Sequence, residues 1–400
     1  MAAGRRRRVL VVAEGATLAH FAGGAALADA LPADRYETTL ACPGRYRRWV
    51  PAGCAWRPLH TLEPSVAYAR MDTGRPLYDR ATLEAYIDDD LNHLAEVRPE
   101  LVIGDGRLSL GISAREAGIP YVALAYAAWH PGRAWRPVMP CLRWTRYAPM
   151  PLLNVLYGLT GPSMFGWHAG PIKATYDAHG VAVAGDLRSL WTDADLVLYA
   201  DLPSLYPEVA ETPGRRFIGP VIWSPPVAPP KWWDSLPTDR PVAYVSVGSS
   251  GDRRVLPKVL AGLRRLDLTV MVATAGRLPP RSDQARVFAA NYLPGGQACA
   301  RADLVVSNGG ALTTAQAIMA AKPLLGVCTN LDQFLEMQAL GAAGAGLHLR
   351  ADRVTAGEVA EGAQRLMQPA PGAAAEALRA SVAASDLTTR LTEAIAPLFG

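Results

Sequence analysis

Between Ala302 and Gly346 the chain reads ADLVVSNGGALTTAQAIMAAKPLLGVCTNLDQFLEMQALGAAGAG, and this order of residue types leaves few folds open. Leu304-Val305-Val306 has the character of a short buried strand, and Asn308-Gly309-Gly310 that of a tight turn. Ala311 to Ala321 has helix-forming composition, which Pro323 ends. A second apolar run, Leu324 to Val327, precedes Asn330-Leu331-Asp332-Gln333 and a further helix. Strand, glycine turn and helix is how an α/β protein aims a helix N-terminus at an anion, because the first-turn N–H groups and the macrodipole both favour negative charge. Gly309 and Gly310 permit close backbone approach, and Thr313 adds a hydroxyl one turn in. One repeat later, Asp332 and Gln333 can hydrogen-bond a polyhydroxylated ligand. Phosphate first and hydroxyls next is the layout expected for a sugar nucleotide. On these residues alone, a merely structural βαβ turn stays open beside it.

The 400 residues exceed one typical core and imply two domains. A net charge of +4 from scattered basic residues gives no sign of nucleic-acid binding. The apolar run Val9 to Ala13 after Arg5 to Arg8 is only a strand's length. No secretory leader or integral membrane segment is therefore expected, and the arginines read as a solvated flank, with a membrane-surface role as the alternative. Five cysteines (Cys42, Cys54, Cys141, Cys299, Cys328) without CxxC spacing read as free thiols in a reducing cytoplasm. The seven histidines form no HxxxH or HExxH pattern, so no metal site is expected.

Val9 to Ala13 is the first strand, Phe21 to Leu31 a helix, and Tyr36 to Cys42 the second strand. His20 thus falls at the carboxyl end of a strand and the start of a helix, where open α/β sheets bind ligands. Asp79 to Ala95 reads as a helix with Asp88-Asp89-Asp90 on a solvated face. Leu101 to Ile103 is the next strand and ends at Gly104-Asp105-Gly106. A histidine oriented by a carboxylate is a general-base pair, and His20 with Asp105 is the candidate. A capping or buried histidine and a turn aspartate are the plain alternatives. From Ala127 to Gly180 aromatic residues and methionines crowd among prolines. Trp129, Trp135, Met139, Trp144 and Phe165 read either as the wall of an apolar acceptor site or as packing of irregular helices.

Residues 1–222 form the expected first domain, 223–240 a Pro- and Trp-rich linker, and 241–385 the second domain. Residues 386–400 form a terminal helix able to pack back on the first. The second half repeats the alternation. Strand Val242 to Val247 runs into Gly248-Ser249-Ser250-Gly251, helix Val255 to Arg265 and strand Leu268 to Ala273 follow, and then strand Arg286 to Ala290. Ser249 and Ser250 can face a phosphate, and Tyr292, beside Leu293, can stack on a nucleobase. Two more helices are expected at Ala356 to Met367 and Ala373 to Leu398. The fold class is α/β, with two doubly wound, Rossmann-like domains facing across a cleft.

These parts, in this order, resemble the nucleotide-sugar-dependent family 1 glycosyltransferases, which have the GT-B fold. The resemblance rests on His20, Asp105, Val247-Gly248-Ser249, Tyr292-Leu293-Pro294, Asn308-Gly309-Gly310 and Asp332-Gln333, and is tightest from Ser307 to Gly346. It implies that His20 deprotonates an acceptor hydroxyl, that Asp105 orients it, and that Tyr292 stacks on the base. It also implies that Gly309, Gly310 and Thr313 contact the diphosphate while Asp332 and Gln333 hold the sugar. Four positions depart from the family pattern. Asn308 replaces a phosphate-binding histidine, Leu312 a glycine or asparagine, Gln316 a ribose-binding glutamate, and Glu336 an asparagine. The expected protein is an inverting, metal-independent glycosyltransferase. It needs no cofactor beyond its nucleotide-sugar co-substrate (UDP- or dTDP-linked), and its acceptor is an apolar, aromatic, natural-product-like molecule. A homodimer is left open. The alternatives are an auxiliary binding protein with a degenerate donor site and a sugar-nucleotide epimerase.

Overall fold

The computed structural model describes residues 5–134, 138–237, 239–246, 248, 252–276, 286–382, 384 and 386–400. The chain divides into two compact units. One comprises Met1–Pro137, Val155–Val221 and Ala383–Gly400, and the other Val138–Asn154 and Ile222–Val382.

The first unit is built on β1 (Arg7–Ala13), α1 (Leu18–Ala30), β2 (Tyr36–Cys42), β3 (Ala55–Pro58), α2 (Pro64–Thr73), α3 (Arg80–Val97) and β4 (Leu101–Asp105). Then come α4 (Leu110–Ala117), β5 (Tyr121–Ala125), α5 (Met150–Ala178, counted with the first unit from residue 155 on), α6 (Leu187–Trp191), β6 (Leu196–Tyr199) and β7 (Arg215–Phe217). Its strands are parallel, in the order β3-β2-β1-β4-β5-β6-β7. Val9 to Ala13 and Leu101 to Asp105 are fully buried, as expected of apolar runs covered on both faces by crossover helices.

The second unit repeats the plan. It has β8 (Val242–Ser246), α7 (Leu256–Leu263), β9 (Thr269–Ala273), β10 (Val287–Ala290), α8 (Gly295–Arg301), β11 (Leu304–Ser307), α9 (Ala311–Met319) and β12 (Leu324–Cys328). After these come α10 (Leu331–Ala342), β13 (Gly346–Arg350), α11 (Ala356–Leu366) and α12 (Pro369–Ala380). The strand order is β10-β9-β8-β11-β12-β13, again all parallel. In both sheets the chain starts in the middle, winds to one edge, returns and winds to the other. The reversal falls between β1 and β4 in one sheet and between β8 and β11 in the other.

Three sequence expectations need correction. The aromatic stretch from Ala127 to Gly180 contains one long helix, α5, which runs through Pro162 and Pro171. The helix expected over Ala373 to Leu398 is broken. α12 stops at Ala380, Asp386 caps a new helix, α13 (Leu387–Ile395), through the Thr389 N–H, and a 3-10 turn follows over Ala396–Phe399. The expected boundary at residue 222 misses Val138–Asn154, which belongs to the second unit. Arg350 donates to the Met139 carbonyl, Cys141 N–H donates to Thr329 O at 2.7 Å, and the Thr145 hydroxyl donates to Asp352 at 2.7 Å. Arg353 donates to the carbonyls of Thr145 and Ala148. These bonds satisfy an irregular backbone that has few partners of its own.

Just past α5, His179 joins three helices. Nδ1 lies 2.6 Å from Glu116 on α4 and Nε2 2.8 Å from Glu84 on α3. Hydrogen bonding to the two carboxylates holds the imidazole above its ordinary value, and Glu84 is held below its own by His179. The clamp's contribution is therefore complete below about pH 6.5 while the carboxylates stay ionised. It is lost as pH rises through the raised folded-state value. Comparing thermal unfolding of the parent and His179→Gln from pH 5 to 9 should show a Tm deficit that is largest near the acid end and closes as pH rises.

Candidate active site

β1 and β4 lie side by side, with Ala13 in register with Asp105, so whatever follows β1 is delivered beside the tip of β4. The chain turns through Glu14 and Gly15 into α1, whose first turn carries His20. His20 Nδ1 is 2.7 Å from Asp105 Oδ1. Asp105 is 3% exposed and the His20 side chain 29%, so the pair is a buried carboxylate behind an accessible imidazole. Burial pushes the Asp105 carboxyl up, and His20 pulls it back. The second oxygen, Oδ2, has no hydrogen-bond partner among the described residues and lies against Gly23, where a Cβ would collide with it. α1 can pass this close only with glycine there. Gly106 has φ +72°, and a Cβ on it would sit 2.9 Å from His20 Nδ1, so side-chain bulk there would displace the ring. Trp191 on α6 stacks loosely over the imidazole, with centroids 6.3 Å apart and planes 15° apart.

Behind this pair lies a charged cluster that sequence reasoning missed. The Arg107 guanidinium is fully buried. It donates to Asp90 Oδ1 at 2.9 Å, to the His60 carbonyl at 2.7 Å, to the Tyr86 carbonyl at 3.2 Å and to Glu14 Oε2 at 3.4 Å. It also lies 3.7 Å from the centroid of the Tyr86 ring. Glu14 accepts from the N–H groups of Gly15 and Ala16, and Asp90 from the hydroxyls of Ser109 and Ser113. Burial opposes the Arg107 charge, but Asp90 and Glu14 outweigh it and hold the guanidinium above its ordinary value. Burial pushes Glu14 up against the pull of Arg107 and His20. The solvated face expected for Asp88-Asp89-Asp90 is thus corrected. Asp88 is exposed, whereas Asp90 points inward because α3 turns every third or fourth residue to the core. The one signal available was an arginine two residues after a strand-end aspartate, and it names no partner.

In the second unit, Ser246 on β8 is in register with Ser307 on β11, and the chain leaves β11 through Asn308-Gly309-Gly310 into α9. Gly309 has φ +77° and donates its N–H to Ser307 Oγ at 2.9 Å, while Gly310 N–H donates to Asn308 Oδ1 at 3.3 Å. The carbonyl end of the Asn308 amide is therefore engaged inward, and its donor end is Nδ2. Asn308 is buried beside Gly248 and lines a pocket with Val245, Asp252, Val306, Ser307 and Val327. α9 has no side-chain N-cap and no acidic residue in its first turn, which suits an anion at its head. Thr313 is half-buried one turn in.

The remaining predicted residues are distributed unevenly. Tyr292 is half-buried just after β10, and Leu293 is buried. Gln316 donates its amide to the Trp223 carbonyl at 2.6 Å and to Ser224 Oγ at 3.1 Å, a bond the family's glutamate cannot make. Asp332 is half-buried in the first turn of α10. Gln333 is buried in a capping box: Asn330 accepts its N–H at 3.0 Å, and its own Oε1 accepts the Thr329 N–H at 2.7 Å. Ser249, Ser250 and Trp135 lie outside the described residues.

Of the four candidate acceptor residues that are described, two belong to each unit. Trp129 packs edge-on against buried Phe165 in the first unit, at 6.1 Å. Met139 is buried and Trp144 half exposed in the second unit's Val138–Asn154 segment. Met139 and Phe165 are both buried. Among the described residues, no three His, Cys, Asp or Glu side chains gather as a metal would need.

Comparison with known proteins agrees with the geometry. Residues 242–391 match the glycosyltransferase family 28 C-terminal domain. Over its whole length the chain superposes on the glycotransferase of kitacinnamycin with a TM-score of 0.72 at 19% identity, covering 99% of this chain and 100% of that one. The class is therefore a GT-B glycosyltransferase. More particularly, the chain is 44% identical over 360 residues to the PGL/p-HBAD biosynthesis rhamnosyltransferase of Mycobacterium bovis (strain BCG / Pasteur 1173P2), covering 90% of this chain and 80% of the relative. It is also 42% identical over 263 residues to a protein of the same strain called an inactive PGL/p-HBAD biosynthesis glycosyltransferase, covering 65% of this chain and 72% of that one. The chain belongs to this family of nucleotide-sugar-dependent glycosyltransferases.

Removing the buried guanidinium would leave Glu14 and Asp90 uncompensated. Arg107→Met should cost about 3–5 kcal/mol at pH 7 in urea unfolding, with a smaller deficit at pH 5 as those carboxyls take up protons.

Proposed function

We propose that this glycosyltransferase inverts configuration at the anomeric carbon, with His20 as general base and Asp105 as the group that orients it. The observation that carries the reading is the 2.7 Å contact of His20 Nδ1 with a carboxylate of 3% exposure. When Nδ1–H donates to Asp105, the basic lone pair is on Nε2. Nε2 takes the acceptor hydroxyl's proton as the oxygen forms its bond to the anomeric carbon. The bond from that carbon to the diphosphate breaks, and its electron pair leaves on the phosphate oxygen. Asp105 stabilises the imidazolium that results, whose charge lies in a poorly solvated place.

The leaving diphosphate is assigned to the head of α9, where first-turn N–H groups, Thr313 and Asn308 Nδ2 offer fixed donors. A neutral amide at Asn308 gives less than a charged donor would, so the dipole of α9 carries more of the load. Asp332 is assigned to the sugar hydroxyls. Catalysis on this plan draws on no metal. By similarity to the rhamnosyltransferase relative, the sugar transferred is of the rhamnose kind, and on the residues of this chain the donor is read as UDP- or dTDP-linked and the acceptor as an apolar molecule bearing a hydroxyl. The inactive relative supports a second reading, a member of the family that binds without turning over.

His20→Ala should lower kcat by about 10²–10⁴-fold with KM for the nucleotide sugar little changed. A variant as fast as the parent would remove the base assignment. Titration calorimetry with UDP and dTDP should show one of them binding. Binding of nucleotide without product in a mass-spectrometric screen of dTDP- and UDP-sugars would instead favour the non-catalytic reading.

A further inference from the structure

α1 carries His20 in its first turn, yet its own residues do little to fix where that turn begins. Thr17 stands at the N-cap without a capping side-chain bond among the described residues, and the first turn holds no acidic residue. The residues just before it do the fixing. Glu14 N–H donates to the Asp105 carbonyl at 3.0 Å, which ties the turn to the tip of β4. The Glu14 carboxylate then folds back over the turn it opens. Oε1 accepts the N–H groups of Gly15 and Ala16 at 3.0 and 3.3 Å, and Oε2 lies 3.4 Å from Arg107 Nη1. Glu14 is 1% exposed and the Arg107 side chain is fully buried, so this grip is exerted from inside the fold. A second grip comes from the exposed Arg45, just past β2, which donates to the Gly15 carbonyl. Its guanidinium lies 5.2 Å from the centroid of the Tyr46 ring, and Tyr46 stacks at 4.7 Å on Phe21, the residue next to His20. Gly15 itself is packed so closely on Pro43 that a Cβ would collide with it.

We propose that Glu14 and Arg45 are positioning residues for the base: they grip the turn before α1 from its buried and exposed sides and so hold the His20 ring against Asp105. The inference rests on the reading of His20 as general base. A misplacement of about 1 Å can cost 10²-fold in rate, and a helix end without a cap frays. Glu14 also adds charge. Asp105 on β4 and Glu14 in the turn both act on the imidazole with negative charge. Arg107 stands behind Glu14, and Trp191 on α6 faces the ring without charge. An ionised Glu14 therefore favours the imidazolium that proton transfer forms.

Two variants of the full-length protein test this. Glu14→Gln keeps the shape and an acceptor for the turn but removes the charge. Arg45→Ala removes the outer grip at an exposed side chain. Each should lower kcat about tenfold or more, with KM for the dTDP- or UDP-sugar little changed because the donor is assigned to the second unit. The His20 titration is followed by NMR with isotope-labelled histidine, its signal being the one that His20→Ala loses. In Glu14→Gln its midpoint should fall by about half a pH unit or more. General loosening of the fold lowers Tm and does not move that midpoint in a set direction. Arg45→Ala at the parent's kcat, or a folded Glu14→Gln with the parent's midpoint, overturns the inference. Should Glu14→Gln fail to fold, Arg45→Ala decides alone. His20→Ala as fast as the parent overturns the base reading, whereas Arg45→Ala at full rate beside a slow His20→Ala overturns only this inference.

Discussion

In a parallel sheet every crossover helix must return over one face or the other, and where the winding reverses two of them diverge. The tips of the two central strands are left uncovered there. This chain has two such places, between β1 and β4 and between β8 and β11, and its candidate chemistry lies at them. His20 and Asp105 follow one pair of strands; Gly248 and Asn308 follow the other. Neither pair is close in sequence. Each is brought together by strand register, Ala13 with Asp105 and Ser246 with Ser307.

That constraint has an energetic consequence. A carboxylate at the tip of a buried strand loses water and needs a partner, and the two on this side of the sheet are served differently. Asp105 has the imidazole of His20 at one oxygen and, among the described residues, no bond to the other. Glu14, immediately after β1, is held by Arg107 and two backbone N–H groups. The buried guanidinium balances Glu14 and Asp90 together, which keeps a dense group of charges behind the imidazole compatible with folding. At the corresponding strand tip the second unit places the Ser307 hydroxyl and the Asn308 amide.

Much of this was legible in the residues. Apolar runs such as Val9 to Ala13, closed by Gly, Asp or Asn, marked the strands and their tips. His20 and Asp105 were paired on their strand-end positions, and the resemblance to known glycosyltransferases then implied their roles. What could not be read was direction. Asp88-Asp89-Asp90 looks uniform in sequence, yet α3 turns Asp90 into the core and Asp88 into solvent. For Met139 and Phe165 the residues left a site wall and ordinary packing both open, and both side chains are buried. At Gln333, expected at a sugar hydroxyl, the Oε1 is engaged in the cap of its own helix, which residue type alone did not announce.

The sequence by itself determined two α/β halves, the positions of their strand tips and the residue types placed there, because those depend on local hydrophobic period and turn chemistry. Only the tertiary structure decided that Val138–Asn154 belongs to the second unit and that Arg107 sits among Glu14, Asp90 and Tyr86. Each of these turns on which neighbour covers a given face, and contacts between residues far apart in the chain leave no periodic trace in it.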